Sequence, residues 1–316
     1  MSAVGFGCMG ISHAYGEPMK KDDAIKLLRQ AVENGYTFFD TAECYIGDDS
    51  NNEEIVGEAL APYRGKVKIA TKFGVRHEGT SIIIDSRPEV IRKSVEGSLK
   101  RLGIDCIDLY YQHRIDPKVS PEEVATVMAE LIKEGKIAHW GISEANEDYI
   151  RRAHAVCTIT AIQNRYSMMF REYEALFPVL EELGIGFVAF SPLANGFLSA
   201  KYNAETKFES NKDYRRDMPQ FQKNAYEQNA ELVSLLSDMA AKRNATTAQI
   251  ALAWLIGKKP FIVPIPGTTK TERMKENAKA AEILLSAKEI SEIDAALNGM
   301  QMSDVFGGHK CKEKRS

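Results

Sequence analysis

Four ionisable side chains in the first part of the chain could move a proton onto an oxygen atom: Asp40, Tyr45, Lys72 and His113. A tyrosine, with an ordinary pKa of about 10, keeps its proton at neutral pH and donates it poorly. A nearby ammonium would lower that pKa, and a carboxylate beside the ammonium would keep it charged and in place. A histidine could hydrogen-bond the accepting oxygen. Together the four side chains predict proton delivery to a carbonyl oxygen.

Each of these residues also has an ordinary structural explanation. An aspartate at a strand end is usually a turn or cap residue, and a lone tyrosine usually packs against its neighbours. A lysine can be a solvent-exposed charge at the edge of the barrel, and a histidine can be a buried residue whose hydrogen bonds are all made within the core. The catalytic interpretation depends on three successive predicted strands that carry Asp40, Lys72 and His113 to one place. His113 has no second His or Cys at ligand spacing, so no metal site is predicted.

Alternating strand and helix signals run along most of the 316 residues. Strand-like runs are centred near residues 4, 38, 69, 109, 140, 161, 188 and 263, and a helical segment follows each of them. Eight β/α units predict an α/β protein with a closed (β/α)8 TIM barrel, forming a single domain over residues 1–316. An open doubly wound sheet is the alternative. An open sheet of this kind would need a dinucleotide-binding turn, which lies between a strand and a helix. The glycines of residues 5–10 have no full strand before them and no helix directly after them, so they do not predict such a turn.

In such a barrel the site lies at the carboxyl ends of the strands. The predicted strands deliver these residues to that end: Asp40, Tyr45, Lys72, Gln112, His113, Arg114, Asp116, Ser143, Glu144, Gln163, Asn164, Ser191 and Gly267 to Lys270. Residues 193–228 are polar, and their apolar residues show neither helix nor strand spacing, which is typical of an extended functional or mobile loop. Most of the chemically useful groups therefore fall where the barrel would place a site.

A carbonyl that receives a proton on oxygen also needs an electron pair on carbon. No side chain supplies hydride, so a cofactor must. The stretch from Pro264 to Arg273 ends a strand with a glycine, threonines and two cations at the start of a helix. That combination suits an anionic phosphate, because a helix N-terminus adds backbone donors. The alternative is an ordinary capped helix with surface cations.

Composition narrows the class of protein. The formal net charge of −3 provides no overall basic field for nucleic acid or anionic lipid, so neither partner is predicted. The five cysteines are an odd number and widely scattered, which indicates a reducing compartment. No signal-peptide pattern and no apolar run of eighteen residues occurs. These features predict a cytoplasmic protein that acts on a small molecule.

A series of short motifs occurs in fixed order along nearly the whole chain: Gly5-Phe6-Gly7-Cys8-Met9-Gly10, Phe39-Asp40-Thr41-Ala42-Glu43-Cys44-Tyr45, Gly57-Glu58-Ala59-Leu60, Thr71-Lys72, His113-Arg114-Ile115-Asp116, Gly141-Ile142-Ser143-Glu144, Ala189-Phe190-Ser191-Pro192-Leu193, and Ile265-Pro266-Gly267-Thr268 through Glu276-Asn277. In these motifs the chain resembles the aldo-keto reductases, NAD(P)H-dependent enzymes built on a (β/α)8 barrel. Within that family, the motifs at His113 and Ser143 are most similar to bacterial, fungal and plant aldehyde or pyridoxal reductases.

The resemblance implies a role for each matching position. Tyr45 would be the general acid, with Lys72 and Asp40 as the pair that tunes it, and His113 would orient the carbonyl. The resemblance also implies an NADPH site. Its expected residues are Cys8, Met9, Asp40, Ser143, Gln163, Phe190, Ser191, Pro192, Leu193, Gly196, Lys201, Gly267, Thr268, Thr269, Lys270, Arg273, Glu276 and Asn277.

Within that set the resemblance assigns parts of the nucleotide. Ser143 and Gln163 would hold the nicotinamide carboxamide, and Phe190, a tyrosine in many relatives, would stack on the ring. Ser191, Leu193, Gly196 and Lys201 would line the pyrophosphate channel. The adenine would meet Glu276 and Asn277. The 2′-phosphate would meet Gly267 to Lys270 and Arg273, and the two cations there favour NADPH over NADH.

The chain departs from the family pattern in three places. Relatives usually have an N-terminal β-hairpin that plugs the barrel, whereas here little or no plug is expected. The turn from Ile46 to Asn52 is long and carries Asp48 and Asp49. Cys44, beside Tyr45, is either a small buried residue or a reactive thiol. Substrate choice is expected from the loops at 14–18, 46–51 and 195–228, and the tail from about residue 303 is expected to be loosely ordered.

Three functions remain open at this point. The leading one is reduction of an aldehyde or ketone by NADPH, an EC 1.1.1 type of reaction, with the proton coming from Tyr45. A second is a regulatory subunit that binds the cofactor with little turnover, as potassium-channel β subunits of this family partly do. A third is a lyase that forms a Schiff base through Lys72.

Overall fold

The computed structural model describes residues 1–47, 51–78 and 81–306. Its strands are β1 (Phe6–Gly7), β2 (Phe38–Asp40), β3 (Lys68–Phe73), β4 (Val75–Glu78), β5 (Ser81–Ile84), β6 (Ile107–Gln112), β7 (Ile137–Ser143), β8 (Ala161–Arg165), β9 (Gly186–Phe190) and β10 (Ile262–Pro264). Eight of these strands form one parallel sheet in the order β1, β2, β3, β6, β7, β8, β9, β10.

Backbone hydrogen bonds join the first and last strands of this sheet. The Gly5 nitrogen donates to the Pro264 oxygen at 2.9 Å, and the Gly7 nitrogen donates to the Pro266 oxygen at 3.3 Å. The sheet therefore closes on itself, which confirms the predicted (β/α)8 barrel. Within the described residues no strand precedes Phe6.

The helices surround the barrel. They are α1 (Lys21–Glu33), α2 (Asn52–Leu60), α3 (Pro88–Leu102), α4 (Pro121–Lys133), α5 (Glu147–Val156), α6 (Phe177–Leu183), α7 (Lys223–Gln228), α8 (Ala230–Arg243), α9 (Thr247–Lys258), α10 (Thr271–Ala278) and α11 (Ala287–Gly299). Residues at helical spacing, such as Ala24, Leu28 and Ala31 of α1, are buried toward the sheet. No described helix has the length and apolar character needed to cross a bilayer.

Local sequence explains where several helices begin. Helix α9 starts at a capping box in which Thr246 and Gln249 each bond the backbone of the other. Pro88 and Pro121 occupy the first positions of α3 and α4, where a missing N–H costs nothing. Inside the barrel a second apolar cluster fills the space between the strands: Phe38, Ala70, Leu109, Tyr111, Ala161, Val188 and Ile265.

Two glycines allow the barrel to close tightly near its mouth. A Cβ on Gly7 would lie 2.7 Å from the Ile265 oxygen, and one on Gly267 would lie 2.6 Å from the Gly7 oxygen. Both obstacles are backbone atoms, so no side chain is tolerated at either position. The glycine motif that resembles a dinucleotide-binding turn therefore serves close strand packing.

The structure differs from the sequence-based expectation in two elements. Strands β4 and β5 pair antiparallel between β3 and α3, where no hairpin was predicted. The single helical segment expected after the strand near residue 161 divides into a 3-10 turn, Glu172–Leu176, and helix α6, whose first turn holds Pro178. Proline lacks the N–H that a continuous helix would need.

The long loop and the tail are better packed than predicted. Residues 193–228 contain 3-10 turns at Ala194–Ser199, Tyr214–Asp217 and Pro219–Phe221, followed by α7. In the tail, the Ser303 nitrogen donates to Asn229 Oδ1 at 2.9 Å, and Val305 is buried. The expectation of a loose tail from residue 303 is therefore wrong for residues 303–306. Residues 307–316 lie outside the described residues.

Candidate active site

The four predicted proton-transfer residues meet at the carboxyl end of the barrel. Asp40 ends β2, and Lys72 lies on the neighbouring β3. Lys72 Nζ donates to Asp40 Oδ1 at 2.5 Å and to the Thr41 carbonyl at 2.7 Å, and lies 3.5 Å from Tyr45 Oη. His113 follows β6, and its ring meets the Tyr45 ring edge-on with 5.9 Å between centroids. The structure thus brings the whole set together.

The Lys72–Asp40 pair is almost fully enclosed, with side-chain exposures of 1% and 4%. Gln163 Nε2 donates to the second carboxylate oxygen, Oδ2, at 2.6 Å. Burial raises the pKa of the Asp40 carboxyl, while the Lys72 charge and the bonds from Lys72 and Gln163 oppose that rise. A buried ion pair is stable only when its remaining hydrogen-bonding positions are filled. Gln163 fills one of them.

Tyr45 differs from the expectation in its proton affinity. Burial raises the pKa of the Tyr45 phenol well above 10, and the Asp40 carboxylate adds to the rise. The predicted lowering by Lys72 is therefore wrong for this structure, because the ammonium charge is already paired with Asp40 at a shorter distance. A phenol with such a pKa keeps its proton at every ordinary pH and loses it only to a strong base.

His113 is held in its neutral form. Burial lowers the pKa of the imidazole well below 6.5, and the charges of Arg114, Lys72 and His77 add to this effect. Its Nδ1 lies 3.5 Å from the sulfur of Cys44. Burial raises the pKa of the Cys44 thiol to about 12, so the thiol is protonated and unreactive. A neutral imidazole can donate one hydrogen bond to a substrate oxygen.

A cavity of about 650 Å³ opens over these residues. The following predicted site residues line it: Met9, Asp40, Tyr45, His113, Ser143, Gln163, Phe190, Ser191, Pro192, Leu193, Gly196, Lys201, Gly267, Thr268, Thr269, Lys270, Arg273, Glu276 and Asn277. Lys72 lies beneath the lining and reaches it through Asp40 and Tyr45. The cavity is large enough for a nucleotide cofactor and a small substrate.

Cys8 is the predicted cofactor residue that the structure does not bring to this cavity. Its side chain is fully buried in the core between sheet and helices. Its backbone instead supports the barrel mouth: its nitrogen donates to the Asp40 oxygen at 2.8 Å, and its oxygen accepts from Asn52 Nδ2 at 3.0 Å. The next residue, Met9, does line the cavity.

One end of the cavity carries a cluster of positive charge. Lys201, Lys270 and Arg273 all line it. The pKa of Lys201 is lowered, first by the Arg273 charge and then by burial. Arg273 lies in the first turn of α10, and the Lys270 nitrogen that precedes the helix donates to Thr268 Oγ1 at 3.1 Å. Clustered cations at a helix N-terminus suit an anionic phosphate.

The loop between the two ends has unusual backbone geometry. After β9, Ser191, Ala194 and Asn195 have φ values of 50°, 47° and 61°. Non-glycine residues rarely adopt this left-handed conformation, which costs about 1–3 kcal/mol per residue and clusters at functional sites. The side chain of Asn195 is held on both sides, since it donates to Tyr15 Oη at 2.9 Å and accepts from Gln220 at 3.0 Å. The loop is therefore built into a defined shape.

Comparison with known proteins identifies the family. The model of the Aldo/keto reductase family matches residues 3–298. The chain belongs to the aldo/keto reductase family. A "Probable aldo-keto reductase 1" from Glycine max is 41% identical to this family member over 311 residues, which are 98% of the chain and 88% of the relative.

Solved structures agree with this assignment. The glycerol dehydrogenase of Gluconobacter oxydans is 28% identical to this aldo/keto reductase and superposes with a TM-score of 0.84, covering 94% of this chain and 91% of its own. An aldo-keto reductase from Klebsiella pneumoniae, solved in complex with NADPH, has a TM-score of 0.70 and 24% identity, and covers 93% of this chain and 90% of its own. The second likeness is to the fold alone.

Several lining residues of this aldo/keto reductase were not predicted from the sequence. The unpredicted hairpin adds Val75, His77 and Ile82, and other elements add His13, Tyr15, Arg165, Tyr202, Arg215 and Phe306. Tyr15, Tyr202 and Arg215 lie in loops expected to set substrate choice, so their segments were predicted but their individual roles were not. Arg165 follows Gln163 by two residues on β8, a spacing that places both side chains on one face of the strand. The acidic pair Asp48 and Asp49 lies outside the described residues.

Proposed function

We propose that this protein reduces an aldehyde or ketone to an alcohol with NADPH, and that Tyr45 gives the proton. The observation that carries the proposal is the position of the Tyr45 hydroxyl, which lines the cavity with His113 beside it and Lys72 3.5 Å away. The chain's membership of the aldo/keto reductase family supports the same reaction class. The cations Lys201, Lys270 and Arg273 in the cavity wall support the choice of a phosphate-bearing cofactor.

The residues present fit such a cofactor. Lys201, Lys270 and Arg273 would hold the phosphate groups at one end of the cavity, and Ser143, Gln163 and Phe190 would hold the nicotinamide at the other. Bound NADPH supplies the hydride that no side chain can provide. Gly7 and Gly267 also line the cavity, and their lack of a side chain lets the backbone pack closely there.

The proposed proton transfer uses a protonated Tyr45 and a neutral His113. Neutral His113 donates a hydrogen bond to the carbonyl oxygen and fixes its position. As negative charge develops on that oxygen, it becomes basic enough to take the proton of the Tyr45 phenol, despite the raised pKa. The Lys72 ammonium stabilises the resulting phenolate, and Asp40 keeps Lys72 in place. The proton acceptor is thus made by the reaction itself, and the resting phenol needs no lowered pKa.

The Schiff-base alternative finds no support in the position of Lys72. A nucleophilic lysine needs a neutral amine that faces the substrate. Lys72 Nζ instead donates to Asp40 and to the Thr41 carbonyl, and its side chain is 1% exposed. The complete set of Asp40, Tyr45, Lys72 and His113 also favours a working reductase over a subunit that binds the cofactor without turnover.

The test is the variant Tyr45→Phe, which removes one hydroxyl and keeps the ring. We expect kcat for an aldehyde such as 4-nitrobenzaldehyde to fall by about 10² to 10⁴, since general acid catalysis contributes that much. NADPH affinity, measured by quenching of protein fluorescence, should stay within about twofold. Tyr63→Phe, outside the cavity lining, is the matched control and should retain full turnover. Unchanged turnover in Tyr45→Phe would refute the role of the phenol.

A further inference from the structure

Arg165 is a buried cation without a direct ion-pair partner among the described residues. It ends β8 and is 7% exposed. Among residues 1–47, 51–78 and 81–306, no carboxylate lies within ion-pair distance of its guanidinium, and no acceptor takes a hydrogen bond from it. A guanidinium has five N–H donors, and buried charges are normally paired. Arg165 therefore has donors to offer to a molecule in the cavity that it lines.

The other arginines near the catalytic residues are already engaged. Arg114 pairs with Glu144 at 3.2 Å and donates to the His113 carbonyl at 2.6 Å. Arg215 donates hydrogen bonds to both carboxylate oxygens of Asp213, at 2.9 and 2.5 Å, and to Tyr202 Oη at 2.6 Å. These contacts set Arg165 apart, because the nearby carboxylate of Glu144 pairs with Arg114 and not with Arg165, whose contacts are flat aromatic rings.

Aromatic rings hold the Arg165 guanidinium in place. Its central carbon lies 5.1 Å from the ring centre of Phe190, 5.9 Å from that of Phe170 and 6.0 Å from that of Phe306. Stacked rings stabilise a cation without using its in-plane N–H donors. The guanidinium is thus fixed in a water-poor position while its hydrogen-bonding edge is left for another partner.

The position of Arg165 relates it to the reacting end of the cavity. Two residues earlier on the same strand, Gln163 points inward and bonds Asp40 of the catalytic set. Alternation along a strand places Arg165 on the same face, one layer nearer the barrel mouth. The register Arg165 to Phe190 puts it beside the ring expected to meet the nicotinamide. Its cavity is the one that Tyr45 and His113 line, and the cationic cluster for phosphate is formed by other residues.

We propose that Arg165 binds an oxyanion carried by the carbonyl substrate, so that the physiological substrates are aldehydes or ketones with a carboxylate or phosphate group. This inference rests on the proposed function. An Arg fork matches the two oxygens of either anion, and charge-assisted bonds of this kind are about twice as strong as neutral ones. Binding would supply a counter-charge within ion-pair distance of Arg165, which none of the described carboxylates provides.

The experiment compares substrates that differ in charge at one position. The probes are 4-formylbenzoate, its uncharged methyl ester and 4-formylphenyl phosphate, each tested on the natural protein, Arg165→Met and Arg165→Lys. We expect Arg165→Met to lower kcat/KM for at least one charged aldehyde by about tenfold or more, mainly through KM, and to change the ester by less than about threefold. Arg165→Lys should recover part of the loss. The more strongly affected anion identifies the carboxylate or the phosphate as the preferred group.

Two controls separate this inference from other causes. Arg171→Met removes a positive charge whose side chain bonds Asn298 outside the cavity, and it should leave all three substrates unchanged. NADPH affinity, measured by fluorescence titration, should be the same in Arg165→Met and the natural protein. An equal loss for charged and uncharged aldehydes, or a loss confined to NADPH binding, would overturn the role of Arg165.

A binding measurement distinguishes this inference from the proposed function. Terephthalate is an unreactive dicarboxylate, and calorimetry should detect its binding to the NADP⁺-saturated natural protein and a loss of at least about tenfold in Arg165→Met. Reduction of the ester without any effect of Arg165 on the charged probes would leave the reductase proposal standing and remove this one. Failure to reduce any aldehyde, with terephthalate still bound through Arg165, would remove the reductase proposal and the carbonyl part of this inference, and would leave the oxyanion-binding role of Arg165 standing.

Discussion

The sulfur of Cys44 lies 3.5 Å from Nδ1 of His113, and both residues line the cavity. Burial keeps the thiol protonated, with a pKa of about 12, and keeps the imidazole neutral. A neutral imidazole has one N–H and one acceptor nitrogen, and its partners decide which is which. Because the thiol has a proton to donate, we expect it to bond Nδ1 and leave the N–H on Nε2. The orienting donor of His113 would then be set by Cys44.

Cys44→Ala should therefore weaken the orientation of the carbonyl without affecting the cofactor. We expect kcat for aldehyde reduction to fall by about threefold to tenfold, the amount that loss of one modest hydrogen bond allows. Cys44→Ser keeps a donor at this position and should retain most of the turnover. Nitrogen NMR of His113 should show Nε2 protonated in the natural protein and a mixture of tautomers in Cys44→Ala. A single unchanged tautomer in both proteins would contradict the link.

The protonation states of Tyr45 and His113 predict the pH dependence of carbonyl reduction. Tyr45, with a pKa raised well above 10, loses its proton only in strong alkali, and His113, with a pKa well below 6.5, gains one only in acid. The active forms therefore persist across the range between. We expect kcat, measured in single-turnover mixing so that product release does not interfere, to be flat from about pH 6.5 to about pH 9.5. An alkaline fall centred near pH 8 would show that cofactor binding lowers the pKa of the phenol.

The cations around α10 predict the choice of nucleotide. Arg273 is close enough to Lys201 to lower its pKa, which shows that the positive charges repel one another in the absence of an anion. A 2′-phosphate would relieve that repulsion, and NADH does not carry one. Arg273→Met should weaken NADPH binding by about tenfold or more and leave NADH within about threefold, as fluorescence titration would show. Lys279→Met, on the turn after α10, is the control and should change neither.

The sequence was sufficient for the barrel and for the four catalytic candidates. The barrel and the four candidates were both predicted from local sequence patterns. In these patterns an apolar strand-like run ends at or just before a charged residue, as at Asp40 and Lys72. The parallel topology then brings separate strand ends together without further information. Boundaries also followed local signals, such as Pro121 at the start of α4. The family's short motifs added the phosphate end of the cavity.

Properties of side chains that depend on burial, such as pKa values and missing ion-pair partners, could not be predicted from the sequence. The pKa of Tyr45 was expected to fall, and it rises because enclosure outweighs an ammonium already paired with Asp40. Arg165 was not singled out in the sequence, because its interest depends on its burial and on the lack of an ion-pair partner among the described residues. Phe306 was assigned to a loose tail, whereas its nitrogen donates to Gln220 at 3.0 Å and its ring lines the cavity. These properties arise from residues far apart in the chain.

Helix α2, which follows the catalytic stretch, is held against α3 by one glycine. A Cβ on Gly57 would lie 2.4 Å from the Leu102 oxygen and 2.8 Å from the Leu102 Cα, and backbone atoms cannot turn aside. This close approach lets Arg101 of α3 reach Glu53 of α2 at 2.6 Å. Glu53 in turn accepts from Thr71, the residue before Lys72. Packing at Gly57 therefore bears on the position of the Lys72–Asp40 pair.

Gly57→Ala tests this packing against helix propensity, which acts in the opposite direction. Alanine favours a helix by about 1 kcal/mol over glycine, whereas overpacking against fixed backbone costs about 1–3 kcal/mol or more. We expect urea unfolding to show a net loss of stability and turnover to fall with it. The control is Gly299→Ala in α11, where a Cβ would meet nothing within 4 Å, and it should leave stability unchanged or raise it by up to about 1 kcal/mol. A stabilised Gly57→Ala protein would mean that α2 and α3 separate at little cost, and that their contact does not constrain Lys72.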